Sequence, residues 1–266
     1  MAGRFPVSWQ TLLMIVFDNM LQLNPETNAL ASYHGFMVFQ VKFTPFLLFP
    51  MGFDPTIFIS LILVITIHEY SHAFVAYFLG DPTAKLEGRL TLNPIAHLDP
   101  MGTLMMLMVH IGWGKPVPVN SRNFKNPKVH EALTALAGPL SNVLLAILLS
   151  IPVIYFPDVL PEFLYHFFLL TLDVSIVLFA FNMLPLPPLD GSKILGILVP
   201  KKYEWKYEEY LEKGPMWFVI FLLADGFLLS KIVVTWPDGT ISNLSLIQKF
   251  IGLLFTLTKS LIFLGN

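Results

Sequence analysis

Four stretches of this chain, residues 55–79, 132–156, 163–184 and 215–234, each match the roughly 20 mainly apolar residues that a helix needs to cross a ~30 Å hydrocarbon layer. In lipid, every backbone polar group must be satisfied within the protein, so helices are the spanning structure such runs can adopt. A fifth run, 246–264, is nearly as long and carries Lys249 and Lys259 near its ends, where their ammonium groups can reach the interface. Two weaker runs come first. Residues 9–23 are interrupted by Asp18 and Asn19, while 36–49 is short, contains Lys42 and Pro45, and suits the interface better than a crossing. Composition agrees: 13% of residues are charged and 55% apolar, where a soluble domain carries about 25% charged residues. Mean hydropathy is +0.67. A soluble enzyme and a disordered chain are excluded, and the absence of cysteine excludes a disulfide scaffold and any thiol ligand. A net charge of −2 excludes a broadly basic nucleic-acid binder.

Residues 101–113 are apolar but too few to cross as a helix, and Pro100, Gly102, Gly112 and Gly114 bracket them. A re-entrant element is expected, with strand-like flanks at 89–93 and 115–120 (KPVPVN). Eleven of the chain's 16 Lys and Arg fall in two connections, 81–131 and 190–214, whereas 157–162 and 236–245 contain none. The positive-inside tendency therefore places the first pair in the cytoplasm and the second pair outside. That orientation makes 55–79 run inward and 132–156 outward, which also requires 101–113 to enter and leave by one face. The expected fold is a polytopic α-helical membrane protein. It has about five to six transmembrane helices and a re-entrant, β-like element between the first two long runs.

Within the first run lies His68-Glu69-Tyr70-Ser71-His72, an HExxH. Residues four apart in a helix lie about 40° apart around the axis, so both imidazoles project from one stripe with Glu69 nearby. Ionisable groups inside a membrane helix are costly and functional by default. Two histidines leave a catalytic zinc site one protein ligand short. The candidate is Asp190, in Asn182-Met-Leu-Pro-Leu-Pro-Pro-Leu-Asp190-Gly191, where three prolines end the preceding helix and leave unwound backbone. Such backbone is tolerated at membrane depth only around a buried cavity. Taken alone, Asp190 reads equally well as a helix N-cap.

HEYSH at 68–72 and NMLPLPPLDG at 182–191, with GDPTAKLEGRLTLNPIAHLDPMG and AGPLSN between them, resemble the site-2 proteases, a family of intramembrane zinc metalloproteases. The likeness covers about residues 55–200 and suggests a compact form without PDZ or CBS domains. It implies one zinc per chain held by His68, His72 and Asp190. It also implies Glu69 as the base acting on a zinc-bound water, and Asn182 as a hydrogen-bond partner of the scissile carbonyl or its oxyanion. A second reading of Asn182 is an amide that caps carbonyls freed where the helix unwinds.

The function this implies is a zinc metalloendopeptidase cutting membrane-spanning protein substrates, with the bilayer as its setting and no nucleic acid involved. Two other classes stay in view: a catalytically inactive metal-binding scaffold, which would not need Glu69, and a metal transporter. The expected location is the plasma membrane of a prokaryote, with the site nearer the cytoplasmic side. The expected organisation is a membrane-associated extension (1–54), a catalytic membrane core (55–200) and C-terminal transmembrane helices (201–266). Asn142 reads as a tie between adjacent helices, with Gly138 allowing their close approach. His97, His110, His130 and His166 show no ligand spacing and read as loop or interface residues, Asn93 and Asp99 as turn residues, and 201–213 as a surface helix.

Overall fold

The structure is a computed structural model, and it describes residues 55–101, 103–104, 114–227, 233–235, 241–243 and 245–263. The runs at 9–23 and 36–49, His110 and most of the expected re-entrant element lie outside the described residues. In chain order the elements are α1 (Pro55–Phe78), the single turn α2 (Thr83–Leu86), α3 (Pro127–Tyr155), α4 (Glu162–Asn182), the short α5 (Asp190–Gly196) and α6 (Glu204–Phe227). A small antiparallel hairpin, β1 (Val233–Thr235) with β2 (Ile241–Asn243), then leads to α7 (Leu246–Ile262). Among the described residues, α1, α3 and α4 are long and apolar enough to cross a membrane. The chain is thus a helical membrane protein.

These three helices fall where the apolar runs place them, with one instructive shift. α3 opens at Pro127, upstream of the expected 132, because the Asn126 side chain accepts the Val129 N–H and Pro127 occupies the first turn, where its missing N–H costs nothing. The fourth run, 215–234, is shared between elements: residues 215–227 form the second half of α6, which begins at Glu204, while Val233 and Val234 belong to β1. The first half of α6 is rich in helix-forming Glu, Lys and Leu and is braced by Lys213–Glu209 at 2.6 Å. α7, at 17 residues, is shorter than the run at 246–264 suggested.

The core lies between α1 and α4, where Leu61, Val64 and Ile65 meet Val174, Val177, Leu178 and Phe181, and Phe218, Ile247 and Ile251 close one side. Polar ties supplement the packing, as expected where burial from lipid supplies little driving force. Ser60 Oγ lies 2.8 Å from Thr171 Oγ1 across α1 and α4, and Lys259 of α7 donates to Asp173 of α4 at 2.7 Å.

The flanks at 89–93 and 115–120 do not pair as strands. Among the described residues of this region, pairing is an antiparallel bridge just outside the flanks, Leu98 with Gly114, continued by Lys115 N–H donating to the His97 carbonyl at 2.8 Å. Pro116 and Pro118 remove the donors a longer ladder would use. Likewise 185–189 is a chain of turns, with the Leu189 N–H reaching the Leu186 carbonyl at 2.9 Å.

Candidate metal centre

α1 carries His68 and His72 on its buried stripe, 5% and 8% exposed. The proline-rich turns after α4 swing Asp190 to the same point. His68 Nε2 lies 3.0 Å from His72 Nε2, and Asp190 Oδ2 lies 3.2 Å from each of them. Three donor atoms around a tetrahedral zinc at 2.0–2.1 Å stand about 3.3 Å from one another. The triangle therefore has the dimensions of a zinc face, and among the described residues these three side chains form the group able to hold a metal. Asp190 Oδ2 is itself a buried oxygen without a hydrogen-bond partner, and two imidazole nitrogens aimed at one carboxylate oxygen leave it to a cation.

Asp190 opens α5, whose N-cap is Leu189 and has no side-chain cap bond. The N-cap reading of Asp190 is thus not what this chain adopts, since its carboxylate faces the histidines. The fold enforces this through Gly191, where a Cβ would stand within 2.5 Å of the Met183 carbonyl oxygen and against that of Leu184. Only a residue without a side chain lets α5 nest against the end of α4. From the other side, Tyr210 Oη donates to the Pro185 carbonyl at 3.0 Å and Tyr207 Oη to the Ser192 carbonyl, so α6 braces the loop that presents Asp190.

Each imidazole is also held from behind. His72 Nδ1 lies 2.7 Å from the Thr134 carbonyl of α3, which can only accept, so Nδ1 carries the proton and Nε2 keeps its lone pair. His68 Nδ1 lies 3.1 Å from the side-chain amide of Asn142. Asn142 is fully buried, and its Oδ1 has no partner when its nitrogen faces the ring. Turned over, the amide presents that oxygen to Nδ1 and again leaves Nε2 free. Asn142 therefore does more than tie helices, and its signals in the sequence were a polar residue in an apolar helix and its place at the end of AGPLSN. Gly138, one turn earlier, faces both rings: a Cβ there would overlap His72 Nε2 and stand 2.5 Å from His72 Cε1 and 2.6 Å from His68 Cε1.

A cavity of about 350 Å³ opens at the centre, lined among others by Glu69, Asn182, Pro116, Val117, Glu131 and Lys193. Glu69 Oε2 accepts the Val117 N–H at 3.3 Å. Asn182, the last residue of α4, donates one amide hydrogen to the Leu178 carbonyl at 3.0 Å and has a second to offer. His97 is buried against the Thr91 carbonyl at 2.8 Å, His130 meets Phe124 edge-on, and His166 sits exposed beside Glu162 at 3.8 Å. None of the three joins the centre.

Outside the membrane helices, Asp81 is fully buried. Burial pushes its carboxyl up, but hydrogen bonds from the Thr83 hydroxyl and N–H, the Asn120 N–H and the Asn123 amide outweigh this and hold it below its ordinary 3.8.

No family model matches the chain, and no solved structure does. Among curated proteins, the chain is 42% identical over 212 residues to Putative zinc metalloprotease YwhC of Bacillus subtilis, covering 77% of this chain and 95% of that protein. It is 32% identical over 133 residues to Putative zinc metalloprotease Rip2 of Mycobacterium tuberculosis, covering 48% of this chain and 51% of Rip2. It is 30% identical over 153 residues to Zinc metalloprotease MJ0392 of Methanocaldococcus jannaschii, covering 57% of this chain and 36% of that protein.

Proposed function

The chain belongs to the site-2 protease family of zinc metalloproteases, and from that premise we propose that it is an intramembrane endopeptidase acting on proteins with a membrane-spanning segment. The enzyme is a zinc metalloendopeptidase and zinc is its cofactor. The finer assignments rest on one observation above all: two Nε2 atoms on a helix long enough to span a bilayer lie 3.0 Å from each other and 3.2 Å from one carboxylate oxygen brought in by α5.

In this reading His68, His72 and Asp190 hold the metal. Bound there, zinc supplies a Lewis acid for the scissile carbonyl and lowers the pKa of water to about 7. Glu69 takes the proton of the attacking water and delivers it to the leaving nitrogen. Asn182 turns its second amide hydrogen to the carbonyl oxygen as negative charge gathers on it. The Val117 N–H fixes one oxygen of Glu69, leaving the other for the proton. A helical substrate hides its carbonyls in its own hydrogen bonds, so the scissile segment must unwind to enter between 115–119 and the turns at 185–189.

His72 lies six residues before the end of α1 and His68 ten, which puts the centre about 9–15 Å along the helix from that end at 1.5 Å per residue. With the basic connections in the cytoplasm, the cavity opens to cytoplasmic water, in the plasma membrane of a prokaryote. The five-to-six-span count, the re-entrant course of 101–113 and the division at residues 54 and 200 belong to the same proposal, supported by the apolar runs and the charge distribution.

The test compares wild type, Glu69→Gln and Asp190→Ala on single-span substrates, with zinc content measured alongside. Glu69→Gln should keep its zinc and lose cleavage, and Asp190→Ala should lose both. Cleavage by Glu69→Gln would refute the role of the base, and stoichiometric zinc in Asp190→Ala would refute the ligand set.

A further inference from the structure

Residues 115–120 cross the mouth of the metal centre as a strap tied at both ends by residues that follow the HExxH helix. At the far end, Asp81 accepts the Asn120 N–H at 2.7 Å and the Asn123 amide at 2.6 Å. At the near end stands Arg89, 2% exposed and the largest fully buried side chain among the described residues. Its Nη1 donates to the Pro116 carbonyl at 2.9 Å and its Nη2 to the Lys115 carbonyl. A guanidinium forked across two successive carbonyls fixes both the height and the tilt of a peptide plane, which an ammonium does not. Arg89 is itself locked in place. Gly88 takes a left-handed φ of +70°, and the Arg89 N–H closes the turn onto the Ala84 carbonyl at 2.8 Å.

Prolines at 116 and 118 stiffen the strap, so Val117 carries the N–H between them, and that N–H donates to Glu69 Oε2 at 3.3 Å. The Pro116 carbonyl that Arg89 holds and the Val117 N–H that orients the carboxylate are two ends of one planar peptide group.

We propose that Arg89 is a positioning residue for the metal centre: by gripping the Lys115 and Pro116 carbonyls, it sets the place of the Val117 N–H and through it the aim of Glu69. The proposal rests on the peptidase reading for its catalytic consequence, while the coupling between Arg89 and the Val117 amide stands apart from it. A misaimed base leaves ground-state binding and metal affinity in place and lowers the rate of the chemical step.

The experiment uses the full chain, purified with zinc, as wild type, Arg89→Gln, Arg89→Lys, Val117→Pro and the double variant Arg89→Gln/Val117→Pro. It reads the Val117 amide by hydrogen exchange, zinc content, and kcat and KM on a cleavable single-span substrate. Both Arg89 variants should expose the Val117 amide to at least about tenfold faster exchange. They should keep zinc at the wild-type level and lose about 10- to 100-fold in kcat, with KM changed less. Val117→Pro, which deletes the donor, should lose as much, and the double variant should be no worse than either single. Unchanged Val117 exchange, loss of zinc in step with activity, or multiplied losses in the double variant would each overturn the proposal. Should Arg89→Gln fail to accumulate, full kcat in Val117→Pro would overturn it. If wild type cleaves no substrate while Val117 exchange still responds to Arg89, the coupling stands and the peptidase reading falls.

Discussion

Replacing Gly138 by alanine sets two physical effects against each other with opposite signs. Gly138 lies inside α3, where helix propensity alone makes alanine more favourable by about 1 kcal/mol. The same methyl carbon would stand 2.5 Å from His72 Cε1 and 2.6 Å from His68 Cε1, where ordinary Cβ contacts begin near 3.4 Å. The rings would have to retreat by at least about 0.8–0.9 Å, and His72, whose Nε2 is nearest, by more, while a working metal site tolerates about 0.2 Å in its bond lengths. Retreat breaks the hydrogen bonds that aim the rings, because His72 is held by the Thr134 carbonyl and His68 by Asn142, and both partners lie on α3 itself. Sliding α3 away would carry them along. Gly138→Ala should therefore weaken zinc binding at least about 100-fold, or about 2.7 kcal/mol, while the metal-free protein, whose rings need not converge on one point and can turn off the methyl, loses less stability than that. Competition against a chelator of known affinity gives the first quantity and thermal melting of the stripped protein the second. Wild-type zinc affinity in Gly138→Ala would refute the geometry. An equal loss of metal-free stability would show that the glycine serves helix packing instead of the rings.

Asn142→Leu should weaken zinc binding about 10- to 100-fold by leaving His68 Nδ1 without its partner, and Asn142→Asp should restore most of it; unchanged affinity in the leucine variant would remove Asn142 from the centre. Asp81 is held below its ordinary 3.8, so the stability it contributes is present above that value and disappears as pH falls through the lower folded value. The gap in melting temperature between wild type and Asp81→Asn should accordingly be widest near neutrality and close below about pH 4, and a gap independent of pH would refute the assignment. Because the chain has no cysteine, Arg122→Cys and Glu162→Cys can each be labelled with an impermeant thiol reagent. The two positions should react from opposite sides of the membrane, and labelling from one side would break the proposed topology.

What was legible in the sequence, and what was not, divides by the range of the interaction. α1, α3 and α4 were legible because a run of apolar residues is a local property. So was the pairing of His68 with His72, because a four-residue spacing suffices to put two rings on one face. The start of α3 was also within reach: Asn126-Pro127 is a cap followed by a first-turn proline, a signal hidden by the polar Lys128, His130 and Glu131 that follow. Asp190 was half legible. The prolines before it announced an unwound segment, but whether its carboxylate capped α5 or reached α1 depends on Gly191 fitting under the Met183 and Leu184 carbonyls.

The roles of Asn142, Arg89 and Gly138 lie beyond any local pattern, since each acts on a partner far away in the chain. Asn142 meets a ring 74 residues away, Arg89 grips carbonyls 26 and 27 residues on, and Gly138 matters for a side chain it lacks. The strand-like alternation at 115–120 shows how a local pattern can serve a different end. Pro116 and Pro118 fix φ at their own positions, and the same rings forbid the ladder that an extended segment usually joins. With pairing denied, the segment's polar groups must go elsewhere. Its carbonyls go to a buried guanidinium, its Val117 N–H to Glu69 and its Asn120 N–H to Asp81. A stretch that reads as an edge strand is thereby converted into a fixed wall of the metal centre, held by charges from the turn that follows α1. That explains why two ionisable residues, Asp81 and Arg89, are buried here: each satisfies backbone groups that the prolines have barred from a sheet.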